Sequence, residues 1–306
     1  MFATLRNGLL GLFIASAIAM ALCAVFLAAS LIGVLLPRSA WAEGWLPVQV
    51  ETEAPGAFRR KITRFSSLER AVAKAAPGDT VKVLASINVA ESISVDKDLA
   101  IVIGEGCTMH VAVGQRRPVF SVEPGCRVFS ITAKNASRIA FAASDSGGLV
   151  DVAPGPNAAN INVRGINVHD AALADGCALF DLSRSAKLSL ESVDIFNINA
   201  PAIQVRPGSC ANVVITDSRL ERVKGNVAID LSADASPTLF VCDSVLIGSY
   251  GCNLICMARP NLLLCDNSYL SALGANPIVV DDAAAGATSE LLISLHPALS
   301  ARPIAS

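Results

Sequence analysis

Charge and aromatic rings are both sparse in this chain. Of its 306 residues 16% are Asp, Glu, Lys or Arg, and Phe, Trp and Tyr together make 5%. With 24 basic against 26 acidic residues, the chain lacks the concentrated positive field that nucleic acids select, so no nucleic-acid partner is expected. Three histidines give little support to a His-rich zinc site. Two tryptophans and two tyrosines leave few flat platforms on which a sugar can stack, which weighs against a dedicated polysaccharide enzyme. What the chain has instead is apolar side chains, 53% of the total, too many for a disordered polymer.

The apolar excess divides into two parts. Asn7 to Pro37 contains no charged residue and is long enough to cross a bilayer as a tilted helix. Arg6 precedes it, and Ala40-Trp41-Ala42 after it has the small-x-small form of a signal-peptidase site, which predicts cleavage before Glu43. The run is longer than an ordinary signal core, and that length argues for a retained anchor, with Trp41 and Trp45 at headgroup level. Residues 1–42 are thus a signal peptide or a membrane anchor. Export to the periplasm or cell surface is expected, although Arg59, Arg60, Lys61 and Arg64 pull against that orientation. Without residues 1–42, which hold Arg6 and Arg38, the remainder carries 22 basic and 26 acidic residues, a net charge of −4.

Residues 43–64, with Pro, Gly and mixed charge, read as a linker, and residues 65–290 as one domain. Ser66 and Glu69 form a capping box for a short helix. Its apolar face is Leu68, Ala71, Val72 and Ala75, and Pro77-Gly78 stops it. Beyond it helical periodicity gives way to short phrases repeated every 23–30 residues. One phrase is apolar, variable, apolar, then a turn: Ile93-Ser94-Val95, Phe120-Ser121-Val122, Val150-Asp151-Val152, Phe180-Asp181-Leu182, Ile203-Gln204-Val205, Ile229-Asp230-Leu231, Ile255-Cys256-Met257 and Ile278-Val279-Val280. A second phrase comes after each turn, as in INVRGINV, LSLESVDI, VVITDSRL, LFVCDSVL and LLLCDNSYL. Its terminal Val168, Ile195, Leu220, Leu246 and Leu270 recur after 27, 25, 26 and 24 residues. Alternation within a phrase turns one set of side chains inward, and repetition between phrases stacks equivalent sets, so no single coil can bury its own face. The spacing is too short for the crossover helices of a doubly wound sheet, and a β-sandwich would not repeat the same turn-flanked phrases in register. The architecture expected is all-β: a parallel β-helix of about eight to nine coils behind a capping helix, with residues 291–306 as a C-terminal cap or tail.

Residues 71–106, AVAKAAPGDTVKVLASINVAESISVDKDLAIVIGEG, resemble the first coils of right-handed parallel β-helix proteins of the pectin-lyase-like superfamily, in which a capping helix leads into PGDTV and alternating strands. The resemblance covers roughly residues 66–290 and implies a fold, not an activity, because polysaccharide lyases, hydrolases, esterases, adhesins and spike-like proteins share that scaffold. The lyases use a basic residue, commonly Arg, beside calcium-binding carboxylates, and polygalacturonases carry NTD, DD, GHG and RIK segments. This chain has Asp281-Asp282 and Val168-His169-Asp170 but no NTD, GHG or RIK. His169 and Asp170 supply either a base with its orienting carboxylate or a turn. Asp281-Asp282 reads as a polar terminal turn.

Stacking the variable residue of the first phrase places Asp151 and Asp181 on adjacent coils. Such a pair serves acid/base chemistry, a retaining-glycosidase arrangement or a calcium ion, or else forms a solvated polar face. A second column runs Gly165, Ser192, Asp217, Asp243 and Asn267. Asp217 and Asp243 are its candidate calcium ligands, with Asx turns as the alternative. No cofactor is expected, calcium being the one ion these carboxylates could take. Tyr250 and Tyr269 are the candidate sugar platforms, or else they close apolar loops. Eight of the nine cysteines lie beyond Cys23, an even number that suits an oxidising compartment. Cys242 and Cys265, nearly equivalent in neighbouring coils, are the pair to consider for a disulfide, against a plain role as small hydrophobes. The function expected is a noncatalytic exported or envelope-associated β-helix acting in surface association, glycan contact or assembly. Its partners would be the membrane, through the N-terminal segment, and a polysaccharide or envelope protein. The alternative is a polysaccharide lyase or hydrolase working through the surface carboxylates.

Overall fold

The computed structural model describes residues 46–52, 61–224, 227–233, 238–257, 262–276 and 278–280. The N-terminal apolar segment, Asp281-Asp282 and the C-terminal tail lie outside them. Among the described residues no helix is long and apolar enough to cross a membrane. The described residues from Pro47 onward belong to one compact unit.

Alternation decides the local structure. In Ala186–Glu191, Leu188 and Leu190 are fully buried while Lys187, Ser189 and Glu191 turn outward, the period of two that only a strand produces. Each coil contributes three strands, one to each of three parallel faces, so the all-β solenoid read from the phrases is the fold observed. The first face runs from Thr80–Val83 through Ala159–Arg164 and Ala186–Glu191 to Leu262–Asp266. The second runs from Ile87–Val89 through Asn167–His169 and Asp194–Phe196 to Tyr269–Ser271, and the third from Ile93–Val95 through Val150–Val152 and Phe180–Leu182 to Ile278–Val280. Every face has eight parallel strands, the first also carrying two antiparallel strands at its start. Eight strands per face make a solenoid of about seven turns among the described residues, against the eight to nine coils expected.

All eight copies of the first phrase fall on the third face, in register. The pairs run Ser94 to Ser121, Ser121 to Asp151, Asp151 to Asp181, Asp181 to Gln204, Gln204 to Asp230, Asp230 to Cys256 and Cys256 to Val279. The second phrase is a first-face strand, a corner and a second-face strand in one. Its terminal Val168, Ile195, Leu220, Leu246 and Leu270 pair consecutively along the second face. Val168, Ile195, Leu220 and Leu246 are at most 1% exposed. Phe120, Phe129 and Phe180 are fully buried, the first two with ring centroids 5.4 Å apart and tilted by 56°.

The N-terminal end differs from the expectation in two ways. Residues read as linker form strands β1 (Val48–Thr52) and β2 (Lys61–Phe65). β1 pairs antiparallel with β2 on one side and with Thr80–Val83 on the other. Val48 and Val50 alternate inward to finish the core, a period too short to stand out among mixed charges. Helix α1 spans Leu68–Lys74, and its N-cap is Ser67, whose hydroxyl accepts the Arg70 N–H. The third helical position is therefore Arg70, and the capping box from Ser66 to Glu69 does not form; Glu69 sits in the first turn, where it complements the helix dipole. The predicted apolar face holds: Leu68, Ala71, Val72 and Ala75 are buried against the first coil.

The corners differ in kind. Between the first and second faces, Gly165, Ser192, Asp217, Asp243 and Asn267 all have positive φ, from 45° to 68°. The residue after each points inward, as Ile166, Val193, Ser218, Ser244 and Ser268. The three serines form a ladder. Ser218 and Ser244 Oγ donate to the carbonyls of Thr216 and Cys242, each at 2.7 Å. Ser218 Oγ also accepts the Val193 N–H, Ser244 Oγ the Ser218 N–H, and Ser268 Oγ the Ser244 N–H. Between the second and third faces the connections vary from three residues, 90–92, to ten, 170–179, so surface variety is concentrated along one corner.

Candidate functional site on the third face

The outward column of the third face begins with hydroxyls. Ser94 and Ser121 both donate to Glu123, at 3.4 and 3.0 Å. Next come Asp151 and Asp181, directly paired in the parallel ladder, so the two carboxylates predicted to be neighbours are neighbours. They do not share one environment. Asp181 is 8% exposed and is held by Arg206 from the following coil: Arg206 Nε lies 2.9 and 3.0 Å from the two carboxylate oxygens, and Nη2 also donates to Oδ2. Arg206 Nη2 further donates to the Gly176 carbonyl at 2.8 Å, tying the ten-residue connection 170–179 to the face.

Asp151 has no such partner. Burial, and then the nearby Asp181 charge, push its carboxyl up to about 6, with Arg206 opposing and Glu123 adding to the rise. Burial likewise raises the Cys177 thiol, with Asp181 and Asp151 adding to the shift and Arg116 and Arg206 opposing it. On this surface one carboxylate is held by a guanidinium, while its neighbouring carboxyl and the thiol are both biased toward their protonated forms.

Beside the column, connection 170–179, the bend at 199–201 and the strands carrying Gln204 and Asp230 enclose a recess of about 360 Å³. Asn199 fixes its wall by pairing with the Leu173 backbone, accepting the N–H at 2.6 Å and donating to the carbonyl at 3.0 Å. Asp230 Oδ1 accepts the N–H and hydroxyl of Ser232. Gln204 Oε1 is buried and has no hydrogen-bond donor.

The remaining candidates fall elsewhere. His169 and Asp170 are sequence neighbours with different partners. On the second face, exposed His169 meets Asp194 of the next coil at 3.1 Å and lies edge-on to Phe196, over whose ring Arg222 sits 5.1 Å from the centroid. Asp170 has φ of 56° and accepts from Asn197 Nδ2 at 2.5 Å, which is a turn contact rather than the orientation of a base. Asp217 and Asp243 sit in successive corners but face opposite neighbours, Asp217 bonded by Ser192 of the coil before and Asp243 by Asn267 of the coil after. The Asn267 amide, with the Cys242 thiol, holds the Asp243 carboxyl below its ordinary value. Two diverging carboxylates fall short of the roughly six to eight oxygens that calcium takes. Among the described residues no group of three or more His, Cys, Asp or Glu is placed to hold a metal.

Tyr250 and Tyr269 belong to neighbouring coils but stand at opposite ends of adjacent strands of the second face. Tyr269 pairs with Val245 at the start of a strand, and Tyr250 lies in the turn after Gly248, with its ring against Gly274. They do not make a joint platform, although Tyr250 is 87% exposed. Cys242 and Cys265 are one residue out of register, Cys242 pairing with Asp266 and Cys265 with Val241. A one-residue offset puts side chains on opposite sides of a sheet, so buried Cys265 cannot reach Cys242, and both are free thiols. Cys107, Cys126 and Cys252 are also buried free thiols that pack as small hydrophobes.

Sequence reading placed Gln204 in the column without a role and missed Arg206 and the serine ladder. Arg206 was legible as a cation 25 residues, one coil, after Asp181. The ladder was legible as Ser following Asp or Asn in DSRL, DSVL and NSYL. Also missed was Arg184, 2% exposed, whose Nη2 donates to the Glu123 and Cys126 carbonyls and so ties its own turn to one two coils earlier.

No protein-family model, curated protein or solved structure matches the chain. What the surface can do is therefore read from its own geometry.

Proposed function

We propose that the chain is a noncatalytic, exported or envelope-associated β-helix of the pectin-lyase-like kind, right-handed in its winding, that uses the third face for surface association through glycan contact. One observation carries this reading. Arg206 occupies Asp181, the carboxylate that an acid/base pair with Asp151 would need free, while the same guanidinium pins the connection that walls the recess. The arrangement is organised to hold a ligand rather than to exchange protons with it. The repeated coils supply a stiff platform, and the N-terminal apolar segment supplies the attachment to the envelope.

A lyase or hydrolase is the second reading. Asp151 favours it, because a carboxyl raised to about 6 suits a general acid. One experiment separates the two: the full chain is titrated with neutral and acidic oligosaccharides, with and without calcium, while both binding and bond cleavage are monitored. Saturable binding without cleavage is the expected result. Turnover abolished by Asp151→Asn overturns the noncatalytic reading, and absence of binding to any sugar overturns glycan contact. Immunoblots of membrane and soluble fractions test the attachment, which fails if the full-length product is wholly soluble.

A further inference from the structure

The recess beside the third face is large enough to be selective, within the low end of the roughly 300–1,000 Å³ typical of ligand pockets. Its polar lining is rich in acceptors, with the Gln204 amide and the Cys177 thiol as side-chain donors beside them. Asp175 is exposed at the rim, Asp230 keeps Oδ2 free after Ser232 has taken Oδ1, and Gln204 Oε1 is a buried acceptor without a donor. The Asn199 amide is already spent on the Leu173 backbone. Among the described residues no Lys or Arg lines the recess. Of the cations around it, Arg206 is committed to Asp181 and the Gly176 carbonyl, Arg116 is exposed and acts on Cys177, and Lys224, whose backbone N–H meets the Ile198 carbonyl, is exposed. Asp151 adds negative charge on the adjoining column when ionised, whereas Asp181 is offset by Arg206.

An acceptor-rich recess with negative walls selects a ligand that brings donors and positive charge, and it repels one that brings a carboxylate. We infer that this recess binds a cationic amino-sugar unit, its ammonium group between Asp175 and Asp230 and a hydroxyl donating to Gln204 Oε1, in preference to a neutral sugar or a uronate. The inference rests on the glycan-contact reading above and sharpens it to one class of sugar. A free ammonium can make charge-assisted hydrogen bonds to both carboxylates. N-acetylation removes that charge while leaving the ring unchanged.

The test is calorimetric titration of the full chain with four probes: a glucosamine oligomer, the same oligomer N-acetylated, a galacturonate oligomer and spermidine. The glucosamine oligomer is expected to bind, N-acetylation to weaken binding about tenfold or more, and galacturonate not to bind. Asp230→Asn is expected to lower affinity for the glucosamine oligomer about tenfold. Because Asp230 also holds its own turn, exposed Asp175→Asn is measured beside it, with an expected loss of about threefold and an unchanged circular dichroism spectrum. Spermidine binding as tightly as the oligomer overturns the sugar assignment. Equal binding of the acetylated or uronate oligomer, or full affinity in both variants, overturns the charge assignment and leaves glycan contact standing. Failure of every sugar to bind removes both.

Discussion

Removing one hydroxyl from the serine ladder tests whether the corner between the first and second faces is held by side chains or by backbone alone. Ser244 is 2% exposed; its Oγ accepts the Ser218 N–H at 3.1 Å and donates to the Cys242 carbonyl at 2.7 Å. In Ser244→Ala the two partners are affected unequally. The Cys242 carbonyl still accepts the Asp217 N–H at 3.1 Å and stays satisfied. The Ser218 N–H loses its acceptor in a buried place that the alanine methyl does not open to water, and an orphaned buried donor costs about 1–3 kcal/mol. For a unit of this size that is a fall in Tm of at least about 2 °C. Ser189→Ala is the control: Ser189 faces outward on the first face, and its loss should stay within about 0.5 kcal/mol. Urea unfolding of the full chain measures both, with an unchanged m-value showing that the same surface unfolds. A Ser244→Ala protein as stable as the control would refute the ladder.

The third face and the thiols give three further expected outcomes. Between the ordinary Asp value of 3.8 and about 6 the folded protein binds a proton at Asp151 that the unfolded chain releases. That stabilisation is present below about pH 4 and lost as pH rises through about 6; the decline, about 1–3 kcal/mol, should vanish in Asp151→Asn when unfolding is measured from pH 4 to 8. Arg206→Met keeps the side-chain stem but strands the buried Asp181 charge, so stability at pH 7 should fall by about 3 kcal/mol and partly return at pH 5; an equal loss at both pH values would show that packing, not charge, is responsible. In native protein iodoacetamide should reach exposed Cys210 while Cys107, Cys126, Cys252 and Cys265 react only with denaturant present, and mild oxidation should yield no Cys242–Cys265 crosslink in peptide mapping.

Much of the fold was legible because a solenoid writes its geometry into a repeat. The eight phrases from Ile93-Ser94-Val95 to Ile278-Val279-Val280 are the eight strands of the third face, and the column read from them, Asp151 beside Asp181 included, is the ladder observed. The ends were harder to read. Val48 and Val50 carry too short an alternation to show among the charges around them, and Ser66 and Ser67 compete for one cap that only backbone geometry awards. Cysteine spacing misled by one residue, which in a strand is the difference between inside and outside.

Sequence alone determined which side chains face in, because alternation within a strand and stacking between coils leave the apolar residues of the repeated phrases one common side to bury. It also brought the two carboxylates of the third face into one row. Whether that row is a reactive pair depended on where the next coil's guanidinium points, and a 25-residue interval cannot show the direction of a long flexible side chain. Tertiary structure gave Asp181 to Arg206, left Asp151 with a raised carboxyl, and folded connection 170–179 back to make the recess. Those choices arise from contacts between coils, where burial and charge meet, and repeat length alone does not encode them.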